Sequence, residues 1–160
     1  MMAEGIDEYV VLQNHQGEVQ QYLTFMMADE EYGVDILKVQ EIRGWEEITE
    51  IPNAPDYIKG VINLRGTIVP IIDLRLRFAI EAVEYGPLTV VIIVKEHVGD
   101  KEKVIGLVVD AVSDVYTINN DEARSAPEFQ DSKDNEFIDR LVNVGEKMVI
   151  LLDLPKILDC

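Results

Sequence analysis

Short apolar runs separated by turn residues recur along most of the chain. The run YLTFMM at residues 22–27 is followed by the turn-like ADEE and then by YGVDI, which predicts a β-hairpin. GVINL and TIVPIIDL flank Arg65 and Gly66 and predict a second hairpin. LTVVIIVK, from residue 88, is apolar on both faces, which is typical of a strand inside a sheet.

Other segments extend this pattern toward both ends of the chain. ILKVQEI, from Ile36, predicts a helical turn that leads into a strand, and LRLRF, from Leu74, predicts a short helix. VIGLVVDAVSDVYTI, at residues 104–118, predicts one further strand. LVNV and KMVILLDL predict the closing strand pair, with a short helix around residues 155–158. Many short strands with few helices favour barrels or a sandwich over a doubly wound sheet.

Two pairs of segments repeat in the same order along the chain. DYIKGVINLRGTIVPIIDL, which begins at Asp56, aligns without a gap on EFIDRLVNVGEKMVILLDL, which begins at Glu136. Upstream, GVDILKVQEI, from Gly33, aligns on GLVVDAVSDV, from Gly106. Each match alone is compatible with chance, but the common order predicts two similar lobes, each a small β-barrel. An exchange of strands between the lobes stays open.

The composition limits the partners and the compartment. Thirty-one acidic residues against 14 basic ones give 160 residues a formal net charge of −17, which disfavours nucleic acid and anionic membrane surfaces as partners. The first residues, MMAEGIDEYVVLQ, have no basic residue and no long apolar core, and no run has the length of a spanning helix. We therefore expect one folding unit in the cytoplasm, without direct membrane insertion.

The sequence contains no residue set that would support catalysis or a cofactor. His15 lies in a polar segment and His97 in the turn-like KEHVGDKEK, so both are expected at the surface. No nucleophile elbow or glycine-rich phosphate loop occurs, and the acidic clusters lack the spacing of a calcium loop. Cys160, the only cysteine, has no partner for a disulfide or a thiolate metal site. We expect no enzyme activity, no cofactor and no metal.

The repeat separates residues that both copies share from residues that only one copy has. Asp73 and Asp153 are shared, end a strand and are suited to cap the following turn. Arg65 aligns with Gly145, so the second hairpin turns without an arginine. Two interpretations of Arg65 remain: a solvated turn residue, or a rigid guanidinium presented to a carboxylate of this chain or of a partner.

Several uncommon strings resemble the CheW family of bacterial chemotaxis adaptors. They are EEYGVDILKVQEIRGW, IPNAPDYIKG, VINLRGTIVPIIDLRLRF and VVDAVSDV, and the resemblance runs from about Tyr22 to Leu158. It implies two five-stranded SH3-like β-barrels packed over a common hydrophobic core, with short helices and no catalytic activity. Residues 18–160 are accordingly expected to form a CheW-like domain of two pseudo-repeated lobes. Residues 1–17 are polar and acidic, so we expect them to form a flexible arm before this domain.

The resemblance also implies partners and a site. Proteins of this family couple methyl-accepting chemoreceptors to the histidine kinase CheA, by binding the receptor's cytoplasmic tip and the kinase's regulatory domain. The receptor-binding positions carried over by the resemblance are Val39, Glu41, Arg65, Ile68 and Val90. Glu41 and Arg65 are expected to form an ion pair, whereas core packing is the alternative role of the three apolar residues. The kinase contacts are not assigned to single residues.

Two other functions stay open at this point. The chain could be a stand-alone CheW-like module that serves another histidine kinase, or a β-barrel that binds a small ligand. A deep polar pocket with a strongly perturbed titratable group would favour the ligand-binding barrel.

Overall fold

A computed structural model describes residues 19–125 and 136–159, which form two β-sheets and two short α-helices. The strands are β1 (Val19–Met27), β2 (Glu30–Asp35), β3 (Val39–Gly44), β4 (Ile58–Leu64), β5 (Thr67–Asp73), β6 (Val90–Val98), β7 (Lys101–Val109), β8 (Ala111–Asn119), β9 (Arg124–Ser125), β10 (Ile138–Val144) and β11 (Lys147–Leu152). The helices are α1 (Leu74–Arg77) and α2 (Leu154–Leu158). The mainly β fold with short helices is confirmed. The arm expected at residues 1–17 lies outside the described residues, and the domain boundary after it stays a prediction.

Each sheet defines one lobe of the protein. Lobe A is the five-stranded sheet with the order β3-β6-β7-β5-β4, and lobe B is the six-stranded sheet with the order β8-β1-β2-β11-β10-β9. The sixth strand of lobe B, β9, has only two residues, so both lobes rest on five main strands.

The predicted hairpins are present. β1 and β2 pair antiparallel across Ala28 and Asp29, whose φ angles are 52° and 66°. β4 and β5 pair across Arg65 and Gly66, whose φ angles are 51° and 88°. Two-residue hairpins favour such positive φ angles because the backbone twist of the turn then matches the twist of the strands.

The run at residues 104–118, expected as one strand, is two strands in different lobes. The break is at Asp110, between β7 and β8. Its backbone N–H donates to the carbonyl of Met26 at 3.2 Å, and its carboxylate accepts the N–H of Ala28 at 3.0 Å. Arg75 of α1 adds two bonds to the same carboxylate, at 2.9 and 2.6 Å. These long-range bonds hold the crossing, and the apolar pattern on either side of it does not reveal them.

The two lobes use the aligned sequence segments in equivalent positions. In lobe A, β5 runs parallel to β7 with Ile71 opposite Gly106. In lobe B, β11 runs parallel to β2 with Leu151 opposite Gly33. The hairpin β1–β2 therefore lies with β10 and β11, and the hairpin β6–β7 lies with β4 and β5. Each lobe combines a hairpin from one half of the chain with strands from the other half.

Apolar side chains fill both lobes and the space between them. Phe25 of lobe B packs in one cluster with Ile92 and Leu107 of lobe A, and none of the three is exposed to solvent. Val91 and Ile93 point the other way, into the cluster inside lobe A. β6 thus buries both faces, as its continuous apolar sequence predicts.

The equivalent aspartates cap the two helices as predicted. The carboxylate of Asp73 accepts the N–H of Leu76 at 3.3 Å, and that of Asp153 accepts the N–H of Lys156 at 3.1 Å. An oxygen at this position satisfies a backbone donor of the first helical turn. The shared aspartates therefore serve the fold of both lobes.

Lobe A closes because the segment after β3 returns to pair with β4. Thr49 and Val61 exchange two backbone hydrogen bonds, at 3.0 and 2.8 Å. Gly60 makes this approach possible: its φ is 153°, and a Cβ atom there would lie 2.2 Å from the carbonyl oxygen of Thr49. The closure brings the edge strand β3 toward the turn between β4 and β5.

Candidate functional site

An ion pair crosses the seam where lobe A closes. Arg65, in the β4–β5 turn, places Nη2 2.6 Å from Oε1 of Glu41 on β3. The two side chains come from opposite edges of the sheet and are 73% and 27% exposed, respectively. The ion pair expected from the sequence is therefore present, and it lies at the surface where another molecule can reach it.

The backbone at Arg65 is in a conformation that L-residues disfavour. Its φ is 51°, and the turn is held by Asn63, whose Oδ1 accepts the N–H of Gly66 at 2.8 Å. The left-handed region costs a residue with a Cβ atom roughly 1 to 2 kcal/mol. In lobe B the equivalent position is Gly145, with φ 64°. Glycine adopts this conformation without the steric cost, so hairpin formation alone gives no reason for an arginine.

Glu41 has a second cationic partner that sequence analysis missed. Nη1 of Arg43 lies 3.2 Å from Oε2 of Glu41, and the other end of the same guanidinium pairs with Glu46. Hydrogen bonds from Arg65, and to a smaller extent from Arg43, hold the pKa of the Glu41 carboxyl below its usual range. The four side chains Arg65, Glu41, Arg43 and Glu46 form what we call the charge chain.

A local signal for Arg43 exists in the sequence. Residues two apart on a strand point to the same face, and Glu41 and Arg43 are spaced in this way on β3. Opposite charges at that spacing indicate side chains that can meet. Glu46 follows the end of β3, where a period of two no longer applies, so its place next to Arg43 depends on the path of the loop.

The three apolar residues expected in the site lie in different surroundings. Val39 and Val90 are partly buried and pack against the cluster between the lobes. They lie on neighbouring strands, opposite Val94 and Gly44, respectively. Ile68, near the start of β5, is 60% exposed. Val39 and Val90 therefore take part in core packing and keep some exposed surface, whereas Ile68 is largely exposed.

Exposed apolar area accompanies the charge chain on lobe A. Ile42 lies on β3 between Glu41 and Arg43 and is 44% exposed, although isoleucine is among the residues most often buried. Ile68, two residues beyond the Arg65–Gly66 turn, is the second such side chain. Because successive side chains of a strand alternate, Ile42 points away from the face of β3 that carries Glu41 and Arg43. Lobe A therefore exposes apolar side chains as well as the charge chain, and at β3 the two lie on opposite faces.

A separate cavity of about 320 Å³ lies where β1, β10 and α2 of lobe B approach β6 of lobe A. The charged groups in its wall already pair with one another. Lys38 binds Glu96 at 3.0 Å, and Arg140 contacts Asp139 at 3.3 Å and the hydroxyl of Tyr22 at 3.2 Å. These internal pairs reduce the polar groups available to a small ligand.

The described residues meet neither the requirements of a metal site nor those of a membrane-spanning helix. Within residues 19–125 and 136–159 there is no group of three or more His, Cys, Asp or Glu side chains that could hold a metal ion. None of the helices found there has the length and hydropathy required to cross a membrane. His97 lies on β6 near the hairpin turn, with a side chain that is 71% exposed.

The fold and this surface define a β-barrel binding module. The sequence matches the CheW-like domain over residues 21–160. It is 51% identical to the chemotaxis protein CheW of Klebsiella aerogenes, over 87% of this chain and 81% of that protein. It is 34% identical to the chemotaxis protein CheW of Bacillus subtilis, over 86% of this chain and 85% of that protein. The chain therefore belongs to the CheW family.

The structure agrees with a solved member of the family. It is similar to the scaffolding protein TtCheW from Thermoanaerobacter tengcongensis, with a TM-score of 0.78 and 33% identity, over 88% of this chain and 93% of that one. The predicted fold of two SH3-like β-barrel subdomains is confirmed, and the protein has the role of a chemotaxis adaptor.

Proposed function

We propose that this adaptor couples methyl-accepting chemoreceptors to the histidine kinase CheA, so that receptors control the kinase. The observation that best supports this proposal is the ion pair between Arg65 and Glu41, whose side chains meet at 2.6 Å on the exposed seam of lobe A. The turn that presents Arg65 holds it in a backbone conformation that L-residues disfavour. The proposed role is cytoplasmic, because the receptor tip and the kinase meet there, and it requires binding rather than catalysis.

The receptor tip is the partner that we place on lobe A. Its proposed contacts are Val39, Glu41, Arg65, Ile68 and Val90. A helical hairpin that lies on this surface would bury exposed apolar area such as that of Ile68, and burial of apolar side chains supplies most of the affinity when a helix binds in a groove.

The ion pair contributes register more than affinity. An exposed salt bridge stabilises little, because water and salt screen it. A guanidinium with a fixed direction nevertheless recognises acceptor oxygens in one geometry, since its N–H groups form a planar fork. Arg65 therefore selects how the receptor helices lie across lobe A.

The kinase regulatory domain is the second proposed partner, bound through the ends of the barrels. Receptor and kinase held by one adaptor experience a high effective concentration of each other, so that modest individual contacts are sufficient. Kinase activity then depends on the geometry of the assembly.

Reconstitution with a receptor signalling fragment and CheA tests the proposal. The complete chain should restore receptor control of CheA autophosphorylation, and Arg65→Ala should weaken both this control and the pull-down of the receptor fragment. Lys95→Gln provides a matched control on the β6–β7 hairpin, because it also removes one cation from a surface ion pair. Binding of CheA without any binding of receptor would favour the alternative of a module for kinase regulation alone.

A further inference from the structure

The charge chain continues past the ion pair that the proposed function uses. Arg65 donates to Oε1 of Glu41, and Arg43 donates to Oε2 of the same carboxylate. Arg43 is in turn anchored by Glu46, so the order of charges is plus, minus, plus, minus. Each oxygen of Glu41 thus faces a different guanidinium, and the orientation of the carboxylate is set from two sides.

The fold itself does not require this arrangement, as lobe B shows. The position of Glu41 corresponds there to Asp114, and the next aligned positions replace Arg43 by Tyr116. The carboxylate of Asp114 accepts the backbone N–H of Val115 at 2.8 Å instead of binding a guanidinium. Lobe B therefore forms its equivalent strand and turn without the alternating charges.

Arg65 retains hydrogen-bonding capacity after it has bound Glu41. A guanidinium has five N–H donors, and Nη2 makes the contact with Glu41. The side chain is 73% exposed, so other donors face the solvent. A partner's carboxylate or backbone carbonyl can bind there, provided that the guanidinium keeps a fixed direction.

We propose that Arg43 is a positioning residue, which acts through Glu41 to hold the guanidinium of Arg65 ready for acceptor oxygens of the partner. Arg43 is less exposed than Arg65, with 31% of its side chain accessible, and it is fixed at both ends by carboxylates. Without it, the Glu41 carboxylate is free to rotate, and Arg65 rotates with it. This inference rests on the proposed function, because it concerns the same receptor surface.

Loss of Arg43 should weaken receptor binding because the guanidinium of Arg65 would no longer be held in place before the partner binds. Ordering one long side chain, here that of Arg65, during binding weakens affinity by roughly two- to tenfold. Arg43→Gln should therefore weaken binding of the complete chain to a purified receptor signalling fragment by this factor, measured by isothermal titration calorimetry. The difference from wild type should shrink at high salt, because added ions screen exposed charges.

A double-mutant cycle distinguishes positioning from an independent contact. If Arg43 acts through Arg65, then Arg43→Gln should have no further effect on affinity in the Arg65→Gly background. Lys95→Gln, which breaks the surface pair with Glu102 at 3.1 Å, should bind as wild type does. Coupling of this kind would not arise from a merely structural role, which would act equally in both backgrounds.

Three outcomes would overturn the inference. Unchanged affinity of Arg43→Gln beside a loss in Arg65→Gly would show that Arg65 needs no positioning, and would leave the proposed function standing. Equal losses from Arg43→Gln in both backgrounds would show an independent contribution. Wild-type affinity of Arg65→Gly would reject the receptor site itself and the inference with it.

Discussion

Replacing Arg65 by glycine separates the binding role of this residue from its role in the fold. The substitution removes the guanidinium from the seam of lobe A and, at the same time, the Cβ atom from a residue with a φ angle of 51°. Lobe B already forms its hairpin with Gly145 at the equivalent position. The variant should therefore fold, and it should bind the receptor fragment more weakly than wild type.

Two backbone effects set the expected change in stability. Relief of the left-handed conformation contributes roughly 1 to 2 kcal/mol in favour of the folded state. The added freedom of glycine in the unfolded chain opposes this by about 0.5 to 1 kcal/mol. The exposed ion pair with Glu41 adds little. We expect Arg65→Gly to be more stable than wild type by about 0 to 1 kcal/mol, which at this chain length raises Tm by about 0 to 4 °C.

Urea unfolding followed by tryptophan fluorescence measures this change. The single tryptophan, Trp45, packs in lobe A with its ring centroid 4.3 Å from that of Tyr85, so its emission should report the loss of tertiary structure. Arg65→Ala is the matched variant: it removes the same guanidinium but keeps a Cβ atom in the left-handed region. Both variants should bind the receptor fragment more weakly than wild type and to the same extent, while Arg65→Ala should be the less stable by about 1 kcal/mol.

Two results would contradict the roles expected for Arg65. A loss of more than about 1 kcal/mol in Arg65→Gly would mean that the arginine side chain stabilises the fold beyond an exposed ion pair. Undiminished binding of the receptor fragment by both variants would mean that the guanidinium has no part in the docking surface.

Two further predictions concern the closure of lobe A and the crossing between the lobes. Gly60→Ala should lower the free energy of unfolding in urea by roughly 2 to 4 kcal/mol, because the new Cβ atom would lie 2.2 Å from the carbonyl oxygen of Thr49. Gly44→Ala is the control. A Cβ atom at Gly44 meets no atom within 4 Å, so this substitution should change stability little. A hydrogen bond from Arg75 holds the pKa of the Asp110 carboxyl below its usual range. The charged carboxylate therefore stabilises the fold at any pH above its unfolded pKa of about 3.9. This stabilisation is lost as the pH falls through the lower pKa of the folded state. Asp110→Asn should therefore cost stability at neutral pH and progressively less below about pH 4, whereas a cost independent of pH would contradict the role of the charge.

Local sequence patterns predict the hairpins of this protein well. The β1–β2 and β4–β5 turns fall between apolar runs, and the side chains that pair across them follow from their spacing. The crossing at Asp110 is different, because apolar residues continue on both sides of it. What divides the run there is a set of hydrogen bonds to Met26, Ala28 and Arg75, all far away in sequence.

The candidate site was predictable only in part. Opposite charges and the family resemblance pointed to Glu41 and Arg65, and the structure brings these two together. The contact of Arg43 with Glu41 could be predicted from their spacing on β3. Its contact with Glu46 could not, because Glu46 follows the strand in a loop. The exposure of Ile68 also required the structure, because an isoleucine in a strand more often faces a core.

The sequence by itself determined the apolar strand segments, the hairpin turns, the capping aspartates and the repetition of one set of elements in two halves of the chain. These properties depend on neighbouring residues, whose alternation and turn chemistry can be inspected directly. Only the tertiary structure decided that the β1–β2 hairpin lies with β10 and β11, and the β6–β7 hairpin with β4 and β5. Because equivalent strands from the two halves present similar apolar faces, pairing within either half would satisfy the same pattern. Long-range contacts select one arrangement, through the bonds at Asp110 and the packing between the lobes.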